Sequence, residues 1–431
     1  MKCKSSRFLI FFLVLVGCSP SMLKVERAIA PGTLTVIQLS DNGSIEQILD
    51  QLPLTETIAG PSDIVVRDGR VYIASYKQFS IAESRDNGKL RRLSSLPVPG
   101  YDAALVLHSM AAVAYITNTE GLLVIDVGDP TQPKQIAHLR LAEELAKLSL
   151  PTPLNDPVGT DIGCEDNKLV LTLQGEGQSL IQPHAINPSR AGIALVFDVE
   201  KPHSPQIERA LDPLPGAAAV EMGIYRHQTF VAGDEMVQYQ DFKRAPVPSL
   251  GLWLKNHPRE MTGGEVPGHV VEMKFIMGSR DDWNVGKTED IIKQYRRANS
   301  QERRELETLT PLDQGIVFIA TEHAMVSMDT SWKWLTWRIG EKTVSDHFSR
   351  LCGMDVYGHS AVYVAAGTEG LYLLRFDPLV EYQFKKWTHL KTLPAPALDV
   401  VVSGDKLYVL CGELGLRNVQ HNENLIANQQ K

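Results

Sequence analysis

From about residue 34 to residue 411 the chain alternates short apolar runs with polar turns, and the alternation repeats. "VAYITNTEGLLVIDV" (113–127) and "VYVAAGTEGLYLLRF" (362–376) align without a gap and share Thr-Glu-Gly-Leu, and "LYVLCGELGLRNV" (407–419) is a weaker third copy. Each is an alternating β run, a Gly-containing tight turn and a second β run, the pattern of a hairpin. A shorter strand precedes each hairpin and is introduced by an acidic residue. The series is "SDIVV" (62–66), "YDAAL" (101–105), "TDIGC" (160–164), "VEMGI" (220–224), "VEMKF" (271–275), "MDVYG" (354–358) and "LDVVV" (398–402). Downstream, Asp126 is followed by Pro130 and Pro133, and Asp198 by Pro202 and Pro205. An Asp at a strand end accepts from the amide two residues on, and proline fixes φ and stops pairing, so these segments predict a corner leading into a fourth strand.

The unit is therefore strand, turn, strand, Gly turn, strand, Asp/Pro corner, strand. Four antiparallel strands joined by short turns make a propeller blade, and seven starts predict an all-β, seven-bladed β-propeller over residues 33–419. Near-continuous Val/Ile/Leu runs fit sheets packed on both faces. The last unit reaches only its third strand before a polar tail (420–431). At the other end "LTVIQLSDNGSIEQIL" (34–49) is a hairpin without a first half. It is predicted to complete the final blade beside the strands of 398–410, sealing the ring.

Departures from a repeat are where function concentrates. With strands A to D numbered outward from the axis, D–A and B–C connections share one end of the ring with the start of strand A. Residues 141–157, containing the helix-like "AEELAKL", form a long D–A link, and 176–191 form a long B–C loop. The largest insertion, about 278–314, joins A to B of the fifth unit and projects from the opposite end. Its stretch 288–309 reads as a charged helix capped by Thr288.

The first residues stand outside this pattern. Lys2, Lys4 and Arg7 precede the apolar run "FLIFFLVLV" (8–16), too short to span a bilayer as a helix, and "LVGC" (15–18) ends it. Leu15, Gly17 and Cys18 resemble the lipobox of bacterial lipoproteins. The resemblance implies a signal peptide over 1–17, a diacylated Cys18 as mature N-terminus, a tether over 18–32, and, with Ser19 following, the outer membrane of a Gram-negative envelope. Multiple acyl chains give stable anchoring where one is marginal. The whole chain has 43 basic and 51 acidic side chains, a formal net charge of −8. Cleavage before Cys18 removes three basic residues and no acidic one, which argues against nucleic acid as a partner. The segments "LLVIDVGDPTQP" and "LVFDVEKPHSP" resemble the LVIVD repeat of bacterial secreted and surface proteins. That resemblance implies a propeller-type fold and an envelope location, and little about biochemistry. It is partial where Arg375 replaces the Asp126 position and where Asp329 stands without prolines.

Candidate chemistry is sparse. Asp63, Asp102, Asp161, Glu221, Glu272, Asp355 and Asp399 would ring one mouth of the central channel. Such a ring could hold a divalent cation such as calcium, which takes six or more oxygen ligands. The simpler expectation is that each carboxylate accepts backbone N–H bonds from its own or a neighbouring blade. Cys164, Cys352 and Cys411 read as free thiols, with a Cys352–Cys411 bridge as the alternative. His269 with Glu272 is a lone pair at a strand start, Trp332, Trp334 and Trp337 read as packing, and no hydrolase or phosphate-binding motif occurs. The expected function is a non-enzymatic scaffold for a protein or polymer partner, without cofactor. The alternative is a propeller hydrolase or lyase with a metal at the channel.

Overall fold

A computed structural model describes residues 31–41, 43–57, 62–100, 103–148, 150, 154–176, 191–211, 213–214, 216–223, 228–233, 236–241, 250–253, 270–277, 315–321, 325–329, 334–335, 351–357, 361–377, 383–390 and 396–412. The leader with Cys18, Asp102, His269, the insertion 278–314, Trp332, Trp337 and the tail lie outside the described residues, as does most of the 176–191 loop.

An N-terminal hairpin, β1 (Pro31–Leu39) and β2 (Ile45–Thr57), comes first. Next come β3 (Asp63–Arg67), β4 (Arg70–Ser75), β5 (Gln78–Ser84) and β6 (Leu90–Pro97). They are followed by β7 (Ala104–Leu107), β8 (Val113–Asn118), β9 (Gly121–Asp126) and β10 (Lys134–Leu139). One turn of helix, α1 (Leu141–Leu145), leads to β11 (Asn155–Glu165), β12 (Lys168–Glu176), β13 (Ala191–Asp198) and β14 (Gln206–Ala210). Then follow β15 (Ala219–Gly223), β16 (Gln228–Ala232), β17 (Met236–Asp241) and β18 (Leu250–Trp253). After them are β19 (Val270–Met277), β20 (Gly315–Thr321), β21 (Met325–Asp329) and β22 (Trp334–Leu335). The chain closes with β23 (Gly353–Tyr357), β24 (Ala361–Ala365), β25 (Leu371–Asp377), β26 (Gln383–Leu390), β27 (Ala397–Ser403) and β28 (Lys406–Cys411).

The described strands pair into four-stranded antiparallel sheets arranged as a β-propeller. Six sheets are consecutive quartets, and the remaining one has the order β2-β1-β28-β27. The N-terminal hairpin thus supplies its two outer strands, with Thr33 opposite Cys411 and Gln38 opposite Lys406. The described part of the last unit contributes two strands, β27 and β28, and the residues after 412 lie outside the described residues.

Strand alternation explains how each sheet packs on both faces. In β4, Val71 and Ile73 join a core with Leu34, Val36 and Leu410 of the preceding sheet. Tyr72 and Ala74, between them, join a core with Leu105, Ile116 and Leu123 of the next. The same division recurs in β28, where Leu407 and Val409 pack backward and Tyr408 and Leu410 pack forward. The turn between β3 and β4 uses Asp68 and Gly69 at φ 51° and 71°, the paired positive values of a type I′ hairpin.

The Asp/Pro corners do more than turn the chain. Asp126 Oδ1 accepts from the Gly128 amide at 2.9 Å and Asp198 Oδ1 from Glu200 at 2.8 Å, as local Asx turns. Each corner also receives a bond from the preceding sheet. Ser94 Oγ donates to Pro130 O at 2.6 Å, and the Tyr115 hydroxyl to Pro202 O at 2.8 Å. The equivalent tyrosines of β24 and β28 make matching reaches: Tyr363 to Gly43 O, and Tyr408 to Ser84 Oγ at 2.9 Å. The forward-facing aromatic of the second strand is thus a peripheral latch onto the next sheet's outer turn. Cys164, Cys352 and Cys411 are all free thiols, so the Cys352–Cys411 alternative is not realised. Burial pushes the Cys164 and Cys411 thiols up to about 12, far from reactive thiolates.

Candidate functional site: the axial carboxylates and Lys274

The first strand of each sheet packs against the first strands of its neighbours: β3 on β7, β7 on β11, β11 on β15, β15 on β19, β19 on β23, β23 on β27, and β27 on β3. The acidic residues stand on these strands, most of them inside rather than at the start. Asp161 lies deep in β11, and Glu221, Glu272, Asp355 and Asp399 are each the third residue of their strands. This moves them inward from the mouth that the sequence suggested. In β11, β19 and β27 a register shift falls just before Asp161, Glu272 and Asp399. A bulge at such a point re-aims the side chain that follows it.

Asp161, Asp355 and Asp399 share one geometry, and Asp63 shares its cross-sheet half. Asp399 Oδ1 accepts from its own successor, Val400, at 2.7 Å, and Oδ2 from Ile64 of the next sheet at 2.9 Å. Asp355 does the same with Val356 at 2.8 Å and Val402 at 2.7 Å. Asp161 binds Ile162 and Val220, both at 2.7 Å. Asp63 Oδ2 accepts from Leu105 at 2.7 Å. Every cross-sheet bond runs forward around the ring, and the one from Asp399 bridges the closure. Carboxylate-to-amide bonds are charge-assisted and about twice as strong as neutral ones. Gly353 makes room for this arrangement, because a Cβ there would collide with the Asp399 carboxylate.

Sequence reasoning missed Lys274. It follows Glu272 by two positions and so shares its face of β19. Its ammonium lies 3.4 Å from Glu272 Oε1. Burial works against that charge. The combined pull of Glu272, Asp355, Glu221 and Asp63 outweighs it and holds the lysine pKa well above its ordinary value. Those four carboxylates come from four different first strands, so Lys274 sits where the strands converge. The available signal was its departure from the repeat: the equivalent positions are Val65, Ala104, Gly163, Gly223, Tyr357 and Val401.

Crowding pushes the carboxyl groups the other way. Burial raises Asp63, Asp355 and Asp399, the last further by the Asp63 and Glu272 charges. Burial also raises Asp161, with Glu272 adding to it. Glu272 is raised by burial from 4.5 to about 7, against the pull of Lys274. A carboxyl with a raised folded pKa keeps its proton while the unfolded chain has released it, so this contribution to stability falls as pH rises from 4.5 to about 7. His108 opposes it: burial lowers its pKa, so its contribution is lost as pH drops below 6.5. Comparing wild type with Glu272→Gln cancels the histidine. The variant is expected to show a smaller loss of thermal stability between pH 5 and pH 7.5; an unchanged profile would mean Glu272 does not titrate in the fold.

The described donors with known partners, Asp63, Asp161, Glu272, Asp355 and Asp399, do not fit a divalent cation. The aspartate oxygens are turned onto amides and Glu272 onto an ammonium, whereas calcium takes six to eight oxygens directed at it. Among the described residues no group of three or more His, Cys, Asp or Glu is disposed to hold a metal ion.

No family model and no curated protein matches the chain. Solved structures do. KlHsv2 with its loop 6CD replaced by a Gly-Ser linker aligns at 11% identity and TM-score 0.41, covering 80% of this chain and 87% of that one. A candidate 6-phosphogluconolactonase from Bacteroides fragilis aligns at 10% and 0.47, covering 86% and 96%. A functionally unknown protein from Desulfotomaculum acetoxidans aligns at 8% and 0.45, covering 83% and 95%. At such identities and TM-scores these likenesses transfer no ligand and no activity to this chain.

Proposed function

We propose that this chain is a lipid-anchored protein of the bacterial envelope, a seven-bladed propeller tethered through Cys18 to the outer membrane. In this reading it is a non-enzymatic scaffold for a protein or polymer. The blade count is supported by the unbroken circle of first-strand contacts. The scaffold role is supported by axial carboxylates committed to backbone amides.

The direction of β1 carries the reading furthest. Thr33 lies opposite Cys411, and Cys411 opposite Ala397, so β1 starts at the end of the ring where the first strands start. The β19–β20 connection departs from the other end, where Met277 pairs with Gly315. A tether ahead of Pro31 would therefore hold one end of the ring toward the membrane and turn residues 278–314 toward a partner. Cross-linking and pull-down of the lipidated protein, with and without 278–314, tests this. Loss of the captured partner on deletion, with the thermal transition intact, is the expected result. An unchanged set of partners would overturn the assignment of that face. A Cys18→Ser variant still fractionating with membranes would overturn the anchor.

A further inference from the structure

The channel poses a charge problem that the fold must solve. Asp63, Glu221, Glu272 and Asp355 stand on β3, β15, β19 and β23, members of the one circle of packed first strands, so the fold draws their charges toward a common axis. Like charges gathered at low dielectric repel strongly unless a counter-charge is built in or bound. Proteins commonly meet that need with a metal ion, often the largest local charge in its site. Here the counter-charge is covalent. Lys274 is inside the cluster, 3.4 Å from Glu272, and its side chain keeps only 27% of its exposure.

We propose that Lys274 is the resident cation of the central channel, occupying the place a divalent ion would take and making the ring's integrity independent of metal. The described aspartates then serve as inter-sheet staples, Glu272 faces the ammonium, and ligand recognition falls to the ends of the ring. The proposal rests on an ion pair, on carboxylates converging from four strands, and on a lysine that no other unit carries.

Thermal unfolding with calcium chloride, against sodium chloride of equal ionic strength, tests it. Wild type is expected to melt at the same temperature in both. Lys274→Met leaves half-buried carboxylates without their counter-charge and should lower the midpoint by on the order of 5 °C. Millimolar calcium should recover part of that loss where sodium does not. Lys274→Arg should keep the wild-type calcium indifference, because it keeps the charge. Should Lys274→Met fail to fold, Glu272→Gln/Lys274→Met removes a carboxylate together with its partner and should restore a cooperative transition. Specific calcium stabilisation of wild type would overturn the proposal, as would Lys274→Met melting like wild type with no calcium response.

Discussion

Deleting residues 31–57 is expected to abolish the cooperative thermal transition followed by circular dichroism. The hairpin looks peripheral in the chain and is central in the ring. Leu34 and Val36 are fully buried, and Ile37, Leu39 and Leu54 are 2% exposed or less. They feed two cores: Leu34, Val36 and Leu54 pack on the β3–β6 sheet, and Ile37 and Leu39 on the β23–β26 sheet. At roughly 1.5–3 kcal/mol per buried aliphatic side chain the loss is on the order of 10 kcal/mol. That rivals the whole stability of an ordinary domain, about 5–15 kcal/mol. Removal would also bare the edge of β28, a template for aggregation. A circular permutant separates closure from chain order. Because Thr33 lies opposite Cys411, residues 31–57 can follow residue 412 through a short turn, with new termini between 57 and 62. The permutant is expected to melt within a few degrees of wild type, on the order of what about 1 kcal/mol shifts. A truncated chain that still melts sharply would show that the sheet β2-β1-β28-β27 does not seal the fold.

Asp399→Ala is expected to be the most damaging single change among the axial carboxylates. Asp399 is 6% exposed and satisfies two amides, its own neighbour Val400 and Ile64 across the closure. Alanine leaves both donors without that partner, at about 1–3 kcal/mol each for a buried unsatisfied group. Asp399→Asn keeps one acceptor oxygen and should fall between alanine and wild type. Asp405→Ala, on the exposed turn before β28, should change little. Chemical denaturation of the three variants measures this. Equal midpoints for Asp399→Ala and Asp405→Ala would show that the carboxylate does not staple the ring.

Much of this architecture is legible along the chain because it is periodic. The acidic residue that introduces a β run, the Gly-turn hairpin and the Asp/Pro corner recur, and repetition exposes them without any fold in view. The orphan hairpin at 34–49 was readable for the same reason, as half a unit lacking its other half. Lys274 was not readable in this way. It occurs once, and a single lysine on a strand most often marks a solvated face.

By itself the sequence determined local matters: strand alternation, the positive-φ turn at Asp68 and Gly69, the Asx corners, and the incomplete units at the two ends. Each depends on residues a few positions apart, where side-chain period and turn chemistry act directly. Only the tertiary structure decided which amide each carboxylate meets, that Tyr408 reaches Ser84, and that Lys274 answers carboxylates from four strands. Those partners lie far apart in the chain, 335 residues for Asp399 and Ile64 and 324 for Tyr408 and Ser84. No local preference can encode such a pairing. It exists once the sheets have packed face to face and drawn their first strands around a common axis, where desolvation makes every unpaired charge and every unpaired amide costly.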